Sequence, residues 1–589
     1  MIYEKEREVN YDLSPVLDVE GITIIEGFKK IVAHLKAYLE KHPEKKVIVF
    51  DYYAGVHEEL IFDKVIKQLG INKLINAYDA RISEETVQER YHGFITDDRL
   101  NGVYSICNMK DFYIPEKVEE IRKAIAATDE RVVLYGAGSA VITTGDVLIY
   151  SDISAQTVTE RLSAGASNWQ VDNSTEEPLR KAKRFVFLEQ LMFKKHKRPI
   201  IKTMDFYIDS HFDEEGKPAM VTGDDFRKML DEFNHNPYQM VPEILPGVWG
   251  GHWMQKVYGA TPEARNTAWC RLVKEDGSLQ ARCDGKTIKF PFDDLMEYDP
   301  INTLGGQIYY FFGYHLPYAL NILDTWGGQN LSLQVHPIAS FSHEYFNWPF
   351  GHFESYYMLD TCENSSVYLG IKEDVTKDEV VKAFEEAQET GVFDDEKYIN
   401  RFPMKRHDHV FIPSGTIHAE GKDTLVYEID STVYTTMKLW DWGRVDFDGK
   451  PRPINIGIGK ENIQEFKTKF VEDNLISKHP EIARGDGYRI EKMGSNEYEV
   501  MTTRRLWLTK PYTLNSDHHI RVITLVEGEE AIIESPTGAF KPKVVHFGEN
   551  TIIPPYLGDY TIRHYGLTEG QEIGVLDIVM DLGGERVIL

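Results

Sequence analysis

The spacing of apolar residues changes once along this chain, near Val241, and the change predicts two kinds of fold in one sequence. In the first two hundred residues, short apolar runs alternate with stretches of helical spacing, as in an α/β domain with a mostly parallel sheet. Beyond Val241, short strands, turn residues and aromatic clusters dominate, which is typical of an all-β barrel or sandwich. In the first part, the pattern predicts strands over 47–51, 131–135 and 147–152 and helices over 21–41, 114–128 and 177–195.

The chain of 589 residues is too long for one hydrophobic core and indicates several domains. We predict an α/β domain over residues 1–205, a connecting segment over 206–240, an all-β domain over 241–460 and a second all-β domain over 461–589. A helical insertion is expected near 376–400. Its first part, 376–390, has amphipathic spacing and opens with a capping box formed by Thr376 and Glu379.

The composition excludes several classes of protein. A formal net charge of −28 argues against nucleic-acid binding, so an anionic substrate would need a local basic pocket. We find no apolar run long enough to span a membrane and no signal peptide at the start. The four cysteines are far apart and indicate reduced thiols: Cys107, Cys270, Cys283 and Cys362. We therefore expect a cytoplasmic protein with a small-molecule partner; the sequence leaves its oligomeric state open.

Two features of the predicted α/β domain invite a ligand-binding interpretation. The turn Gly136-Ala137-Gly138 follows a predicted strand, where backbone amides can bind a phosphate. It lacks the third glycine of a dinucleotide site, however, and no GxxxxGK[ST] motif is present. The second feature is a basic cluster between Lys181 and Arg198, which we interpret as a solvated helix face.

The same region distantly resembles a nucleoside-kinase-type α/β domain. The resemblance lies in residues 150–161, in Lys183-Arg184 and in His196-Lys197. Because the nucleotide-binding lysine motif is missing, it implies a degenerate or purely structural relative.

The stretch 331–337 carries the first candidate for chemistry. In a strand, Gln334 and His336 point to one face, while Leu333 and Val335 point to the other. Two polar groups in an apolar segment are costly to bury unless a partner satisfies them. That partner is either a metal ion or a set of neighbouring hydrogen-bonding groups.

Two later segments supply further metal-ligand types. Residues 351–359 alternate polar and apolar side chains and place Glu354 on a strand. Residues 406–418 form a strand and a tight Pro-Ser-Gly turn that ends on His418. Two imidazoles, one carboxylate and one amide oxygen from separate strands make a plausible Zn²⁺ site with open positions for substrate.

These motifs together resemble type I mannose-6-phosphate isomerases. The resemblance covers roughly residues 241–460, and the segments that carry it are Gln334-Val335-His336-Pro337, Glu354, Pro413-Ser414-Gly415-Thr416-Ile417-His418 and Thr435-Thr436 with Trp440-Asp441. It implies a cupin (jelly-roll) barrel with a helical insertion, followed by a second cupin barrel without metal. It further implies one zinc ion held by Gln334, His336, Glu354 and His418, and conversion of mannose 6-phosphate to fructose 6-phosphate through a cis-enediol.

The resemblance also suggests site residues and shows where this chain departs from the family. Ser332 matches a serine that contacts the substrate, and Asp441 matches an aspartate of the family site. The family has lysine where this chain has Asn321 and His352, and arginine where it has Lys438. We expect Lys438, His352 and Asp441 to be catalytic, and Ser332 and Lys438 to bind substrate.

These departures keep three hypotheses open. The first is a zinc-dependent isomerase of mannose 6-phosphate. The second is a metal-dependent isomerase or epimerase that acts on a different sugar, one that carries no phosphate or another anionic group. The third is a sugar-binding or regulatory protein without turnover, an idea that the extra N-terminal domain favours.

Overall fold

The computed structural model describes residues 2–5, 7, 9–212, 216–432, 435–493 and 501–580. The chain forms two compact units. The smaller unit comprises residues 16–233 and 276–300, and the larger unit comprises residues 1–15, 234–275 and 301–589. The chain thus leaves the larger unit after residue 275 and returns to it at residue 301. Boundaries at 205, 240 and 460 stay predictions.

A seven-stranded sheet forms the centre of the smaller unit. Five neighbouring strands run parallel: Phe206–Asp209, Val147–Asp152, Val47–Tyr52, Val132–Tyr135 and Lys73–Asn76. The remaining two strands, Ala219–Thr222 and Ile25–Glu26, pair in antiparallel fashion at one edge. The order across the sheet is Ile25–Glu26, Ala219–Thr222, Phe206–Asp209, Val147–Asp152, Val47–Tyr52, Val132–Tyr135 and Lys73–Asn76. The predicted parallel strands are thereby confirmed. A small second sheet contains Leu17–Asp18, Ser278–Cys283 and Lys286–Pro291.

Helices connect these strands. The α-helices of the smaller unit are Phe28–Lys41, Glu58–Ile61, Glu84–Ile95, Pro115–Ala126, Ser139–Ile142, Ala155–Ser163, Pro178–Arg184, Gln190–Thr203, Gly223–Asn234 and Asp293–Tyr298. Short 3-10 or π segments are Phe62–Ile66, Lys67–Leu69, Ala77–Ala80, Met109–Phe112 and Phe185–Glu189. The predicted helix over 177–195 is therefore two α-helices joined by a π segment.

The glycine turn of the smaller unit already binds an anion from the chain itself. The amides of Gly138 and Ala140 each donate to a carboxylate oxygen of Asp51, at 2.8 Å. Asp51 lies near the end of the neighbouring strand and is fully buried. The Asp51 carboxylate therefore already satisfies the amides that would otherwise bind a phosphate at this turn.

The basic cluster of the smaller unit is not a solvated helix face, and that prediction was wrong. Lys181, Lys183 and Lys197 are 1%, 3% and 0% exposed. Lys181 donates to two backbone carbonyls, and Lys197 contacts three buried carboxylates. The cations are buried because each finds a partner, which composition alone does not reveal.

Two sheets of the larger unit hold the residues of chief interest. The six-stranded sheet has the order His409–Ile412, Glu354–Thr361, Thr424–Ser431, Tyr318–Asp324, Trp269–Val273 and Glu243–Leu245. The five-stranded sheet has the order Ile399–Pro403, Ser366–Ile371, His418–Glu420, Leu333–Val335 and Met437–Trp440. Buried residues of both sheets, among them Val335 and Tyr356, form one apolar core.

Two further sheets lie in the last part of the chain, where strands were expected. The six-stranded one has the order Glu481–Gly485, Tyr488–Met493, Met501–Leu508, Ile573–Met580, Arg521–Glu527 and Asn550–Ile553. The four-stranded one has the order Tyr512–Asn515, Asp559–His564, Glu530–Glu534 and Lys543–His546. Closed barrels were predicted for both all-β regions. The described strands instead form separate open sheets, since in each sheet the two outermost strands have only one neighbouring strand.

The predicted helical insertion is confirmed as the helix Lys377–Thr390, with the capping box of Thr376 and Glu379 in place. The other helices of the larger unit are Trp253–Val257, Pro300–Leu304, Gly306–Phe312, Ala339–Phe346, Asp395–Tyr398, Ile456–Asn462 and Thr468–Phe470, with π or 3-10 segments at Val471–Leu475 and Gly566–Thr568. None of the described helices has the length and apolar character that crossing a membrane requires.

Candidate active site

The four predicted metal ligands meet between the two sheets that share the apolar core. Gln334 lies in the strand Leu333–Val335, directly opposite His418 in the neighbouring strand, and His336 follows that strand. Glu354 opens a strand of the other sheet. All four side chains are buried, with exposed fractions of 0–3%. Strands that are far apart in sequence thus bring the four residues together, as the motif predicts.

The distances within this group are short. The Nε2 atom of His336 lies 3.1 Å from Glu354 Oε2, and the Nε2 atom of His418 lies 2.5 Å from Glu354 Oε1. The amide of Gln334 lies 3.2 Å from His418 Nε2. The Nδ1 atoms of both histidines point away from the group, toward the carbonyl oxygens of Thr435 and Thr416, each at 2.8 Å.

The hydrogen bonds to the two carbonyls fix the protonation of the rings. Because a carbonyl only accepts, Nδ1 carries a proton in His336 and in His418. In the neutral form of such a ring the lone pair lies on Nε2, which is the atom that faces Glu354 in both histidines. Burial and the neighbouring His352 lower the pKa of His336 to about 4, so that ring is neutral near pH 7. Lone pairs that face a buried carboxylate call for a cation between them. Two imidazoles, a carboxylate and an amide fit a divalent ion such as Zn²⁺.

The Pro-Ser-Gly turn positions both histidines. Gly415 has a φ of 84°, and a Cβ there would meet the Asn462 carbonyl oxygen at 2.5 Å. Its amide donates to the backbone carbonyl of His336, at 3.0 Å. The turn therefore requires glycine and fixes the strand of His418 against the end of the His336 strand.

His352 lies beside the predicted ligands. Its ring centroid is 4.1 Å from that of His336, and its Nε2 atom is 3.9 Å from Glu354 Oε2. With 1% of its surface exposed, it belongs to the same buried group. His336, His352 and Glu354 are close enough together to hold one metal ion.

A basic cluster begins on the adjacent strand, Met437–Trp440, with Lys438. Lys438 stands directly opposite Gln334 in the sheet, so the two side chains share a face. Burial lowers the pKa of Lys438 to about 8, with a further contribution from Arg452. Asp441 binds Arg452 at 2.7 Å, binds Arg444, and accepts a hydrogen bond from Ser332 at 2.7 Å.

The predicted residues Ser332, Lys438 and Asp441 therefore lie in one cluster together with Arg444 and Arg452. The sequence analysis missed the two arginines as site residues. Arg452 ends the turn Gly449-Lys450-Pro451-Arg452, a stretch that also resembles type I mannose-6-phosphate isomerases, whereas Arg444 has no signal of its own. Asp441 is held by two guanidinium groups and a hydroxyl, an arrangement that suits positioning of charged groups rather than proton transfer.

Three further polar residues lie on the six-stranded sheet near Glu354. The Nδ2 atom of Asn321 donates to Glu428 at 3.0 Å and to Asp430 at 2.7 Å. All three side chains are buried. The sequence analysis did not identify Glu428 and Asp430 as site residues. Their spacing of two residues, the same as that of Gln334 and His336, was the available signal.

Known proteins are similar to parts of this chain. A family model described as a domain of unknown function (DUF8485) matches residues 27–235. Mannose-6-phosphate isomerase ManA of Bacillus subtilis is 25% identical over 332 residues, which cover 56% of this chain and 96% of that protein. The mannose-6-phosphate isomerase of Streptococcus mutans is 26% identical over 222 residues, which cover 37% of this chain and 65% of that protein.

Solved structures of the same kind are also similar. The mannose 6-phosphate isomerase of Bacillus subtilis matches with a TM-score of 0.47 at 20% identity, covering 58% of this chain and 99% of that chain. A variant of phosphomannose isomerase from Salmonella typhimurium matches with a TM-score of 0.45 at 14% identity, with the same coverage.

Over about half of its length, then, the chain is homologous to mannose-6-phosphate isomerases at modest identity. The expectation of a sugar isomerase is confirmed at that level, with the sugar left open. The kinase-like resemblance of the N-terminal region stays a prediction, because the family model that matches there has no described function.

Proposed function

We propose that the larger unit is a zinc-dependent aldose–ketose isomerase that interconverts mannose 6-phosphate and fructose 6-phosphate. The observation that carries the proposal is that Lys438, which lies in one basic cluster with Arg444 and Arg452, stands directly opposite the predicted metal ligand Gln334. In a chain with a net charge of −28, such a cluster is what a phosphorylated substrate needs.

In this proposal Gln334, His336, Glu354 and His418 hold one Zn²⁺ ion. The bound ion would supply Lewis-acid stabilisation of the charge that develops on the C1 and C2 oxygens. The two Nδ1–H···O=C hydrogen bonds orient the imidazoles, so the ligand set is ready before substrate arrives.

Arg452 and Arg444 bind the phosphate of the substrate. Asp441 holds both guanidinium groups, and Ser332 donates to Asp441, so neither arginine has to be ordered when substrate binds. Asp441 acts here as a positioning residue.

Lys438 carries the proton between C2 of the aldose and C1 of the ketose. With a pKa of about 8, roughly a tenth of its side chains are neutral at pH 7 and able to accept the C2 proton. The ammonium group that results returns the proton to C1 of the cis-enediolate, while the hydroxyl proton of O2 passes to O1, so that the C2 carbonyl of the ketose forms. His352 is the second candidate for this role because its imidazole lies in the same buried group.

A coupled assay of fructose 6-phosphate formation tests the proposal. We expect turnover of mannose 6-phosphate that a chelator abolishes and added Zn²⁺ restores. His418→Ala should lose both bound zinc and activity. His409→Gln, a change of a buried histidine in the neighbouring sheet whose Nδ1 atom contacts Ser477, should retain both.

Two results would contradict the proposal. One is a folded, zinc-loaded protein that converts no hexose phosphate. The other is full activity in His418→Ala.

A further inference from the structure

Three carboxylates and one amide form a second polar group on the six-stranded sheet. Glu354 and Asp430 are direct cross-strand neighbours, and Asn321 stands opposite Glu428. Glu428 and Asp430 are two residues apart on one strand, so all four side chains lie on the same face of the sheet.

These carboxylates are close together and shielded from water. Oxygen atoms of Glu354, Glu428 and Asp430 lie within 4.8 Å of one another. The exposed fractions are 0% for Glu354 and Asp430 and 2% for Glu428. Ionised carboxylates at this spacing repel strongly in a medium of low dielectric constant. Burial, together with this repulsion, therefore raises the pKa of Glu428 and the pKa of Asp430 well above their ordinary values.

The described residues provide little to offset that charge. Neither lysine nor arginine forms an ion pair with any of the three carboxylates in the described part of the chain. The neutral amide of Asn321 donates one hydrogen bond each to Glu428 and Asp430. The second oxygen of the fully buried Asp430, Oδ1, has no hydrogen-bond partner among the described residues. A buried carboxylate oxygen in that state points to a missing ligand.

We propose that Glu354, Glu428 and Asp430 form a second divalent-cation site, so that the larger unit holds a two-metal centre with Glu354 shared between the ions. The inference rests on the first metal site of the proposed function. One oxygen of Glu354 lies 2.5 Å from His418 and the other 3.1 Å from His336, and the same carboxylate belongs to the acidic group.

The two sites differ in donor chemistry. The first offers two imidazole nitrogens, which suit Zn²⁺. The second offers carboxylate oxygens and the Asn321 amide, a set that suits a harder ion such as Mn²⁺ or Mg²⁺. Paired ions of this kind are typically separated by about 3.5–4 Å.

Metal counting on the full-length protein tests the inference. The protein is stripped with a chelator, reloaded with Zn²⁺ and Mn²⁺ and dialysed, and the metal content is measured by mass spectrometry. We expect two ions per chain. Loading with Mn²⁺ alone should give the electron paramagnetic resonance spectrum of a coupled Mn²⁺ pair.

Three variants isolate the second site. Glu428→Gln and Asp430→Asn keep the shape of each side chain and remove one ligand charge, and each should lower the count to one ion. Asn321→Lys places an ammonium group between Glu428 and Asp430 and should also give one ion. Asp360→Asn, a change of a carboxylate that is equally buried on the same strand as Glu354, should leave two. Melting temperatures establish that each variant is folded.

The outcomes separate this inference from the proposed function. One ion per wild-type chain, or two in a folded Asn321→Lys variant, overturns the second site and leaves the first intact. One ion would mean that protons shared among the carboxylates balance the charge. No tightly bound ion at all overturns the proposed function as well.

Discussion

In the proposed mechanism, Lys438 is the residue that transfers the proton between C2 and C1. Its side chain is placed by a strand whose neighbour carries Gln334, so its position follows from sheet register. Burial shifts its pKa down to about 8, close enough to neutral pH for proton transfer.

The pH profile of catalysis should report this residue. Because only the neutral amine accepts a proton, kcat should rise as pH increases toward about 8 and then level off. Lys438→Arg keeps the charge but remains protonated throughout, so kcat should fall about 100-fold or more while KM changes little. A steady-state profile from pH 6 to 9 checks both statements. Unchanged kcat in Lys438→Arg would assign the proton to His352 instead.

At the level of single residues, the four proposed metal ligands could be selected from sequence because each lies in a short local motif. Arg444 and Arg452 could not be, since they join the site through contacts with residues such as Asp441 and Ser332, which are 109 residues apart in the sequence. Contacts of that kind depend on tertiary packing, which no local pattern encodes.

Among the elements, the helix Lys377–Thr390 is one that local sequence alone predicts well. Its capping box, its apolar face and its C-terminal glycine all agree, and the structure places both ends within a residue of the prediction. Val380, Phe384 and Ala387 pack into the core between the sheets. Whether the strands form open sheets or closed barrels, by contrast, depends on pairing between strands that are distant in the sequence.

A pair of glycine substitutions tests the account of helix ends. Gly391 caps this helix with a φ of 73°, so Gly391→Ala should destabilise the larger unit by about 1 kcal/mol. Gly457 lies in the helix Ile456–Asn462 without positive φ, and neither glycine has a neighbour within 4 Å of an added Cβ. Gly457→Ala should therefore stabilise by about 0.5–1 kcal/mol. Thermal melts of both variants should shift in opposite directions; shifts of the same sign would refute the account.

For the whole molecule, the division into units could not be read from the sequence. Residues 276–300 come after the change of pattern at Val241, yet they belong to the smaller unit. There Asp293 and Asp294 contact Lys197, which is fully buried. Such long-range contacts determine which segments form a discontinuous unit. A search for domain boundaries along the sequence cannot detect them.

Lys197 should accordingly be critical to the smaller unit. Its removal takes the cation from buried Asp152 and Asp294 and leaves Asp293 with Lys194, so Lys197→Met should destabilise the unit by about 3–5 kcal/mol. Lys202→Met, on the exposed face of the same helix, should have little effect. Hydrogen exchange of the strand Val47–Tyr52 measures the difference. Equal protection in the two variants would show that the ion cluster is not needed for stability.

The central claim for the molecule is that a metal site and a basic cluster together make a sugar-phosphate isomerase. The most direct test compares kcat/KM for mannose 6-phosphate and for mannose in the wild type and in Arg452→Met. We expect kcat/KM of the wild type to be about 100-fold or more higher for mannose 6-phosphate than for mannose. Arg452→Met should lose most of that preference while keeping its metal. Equal kcat/KM values for the two sugars in the wild type would contradict the account.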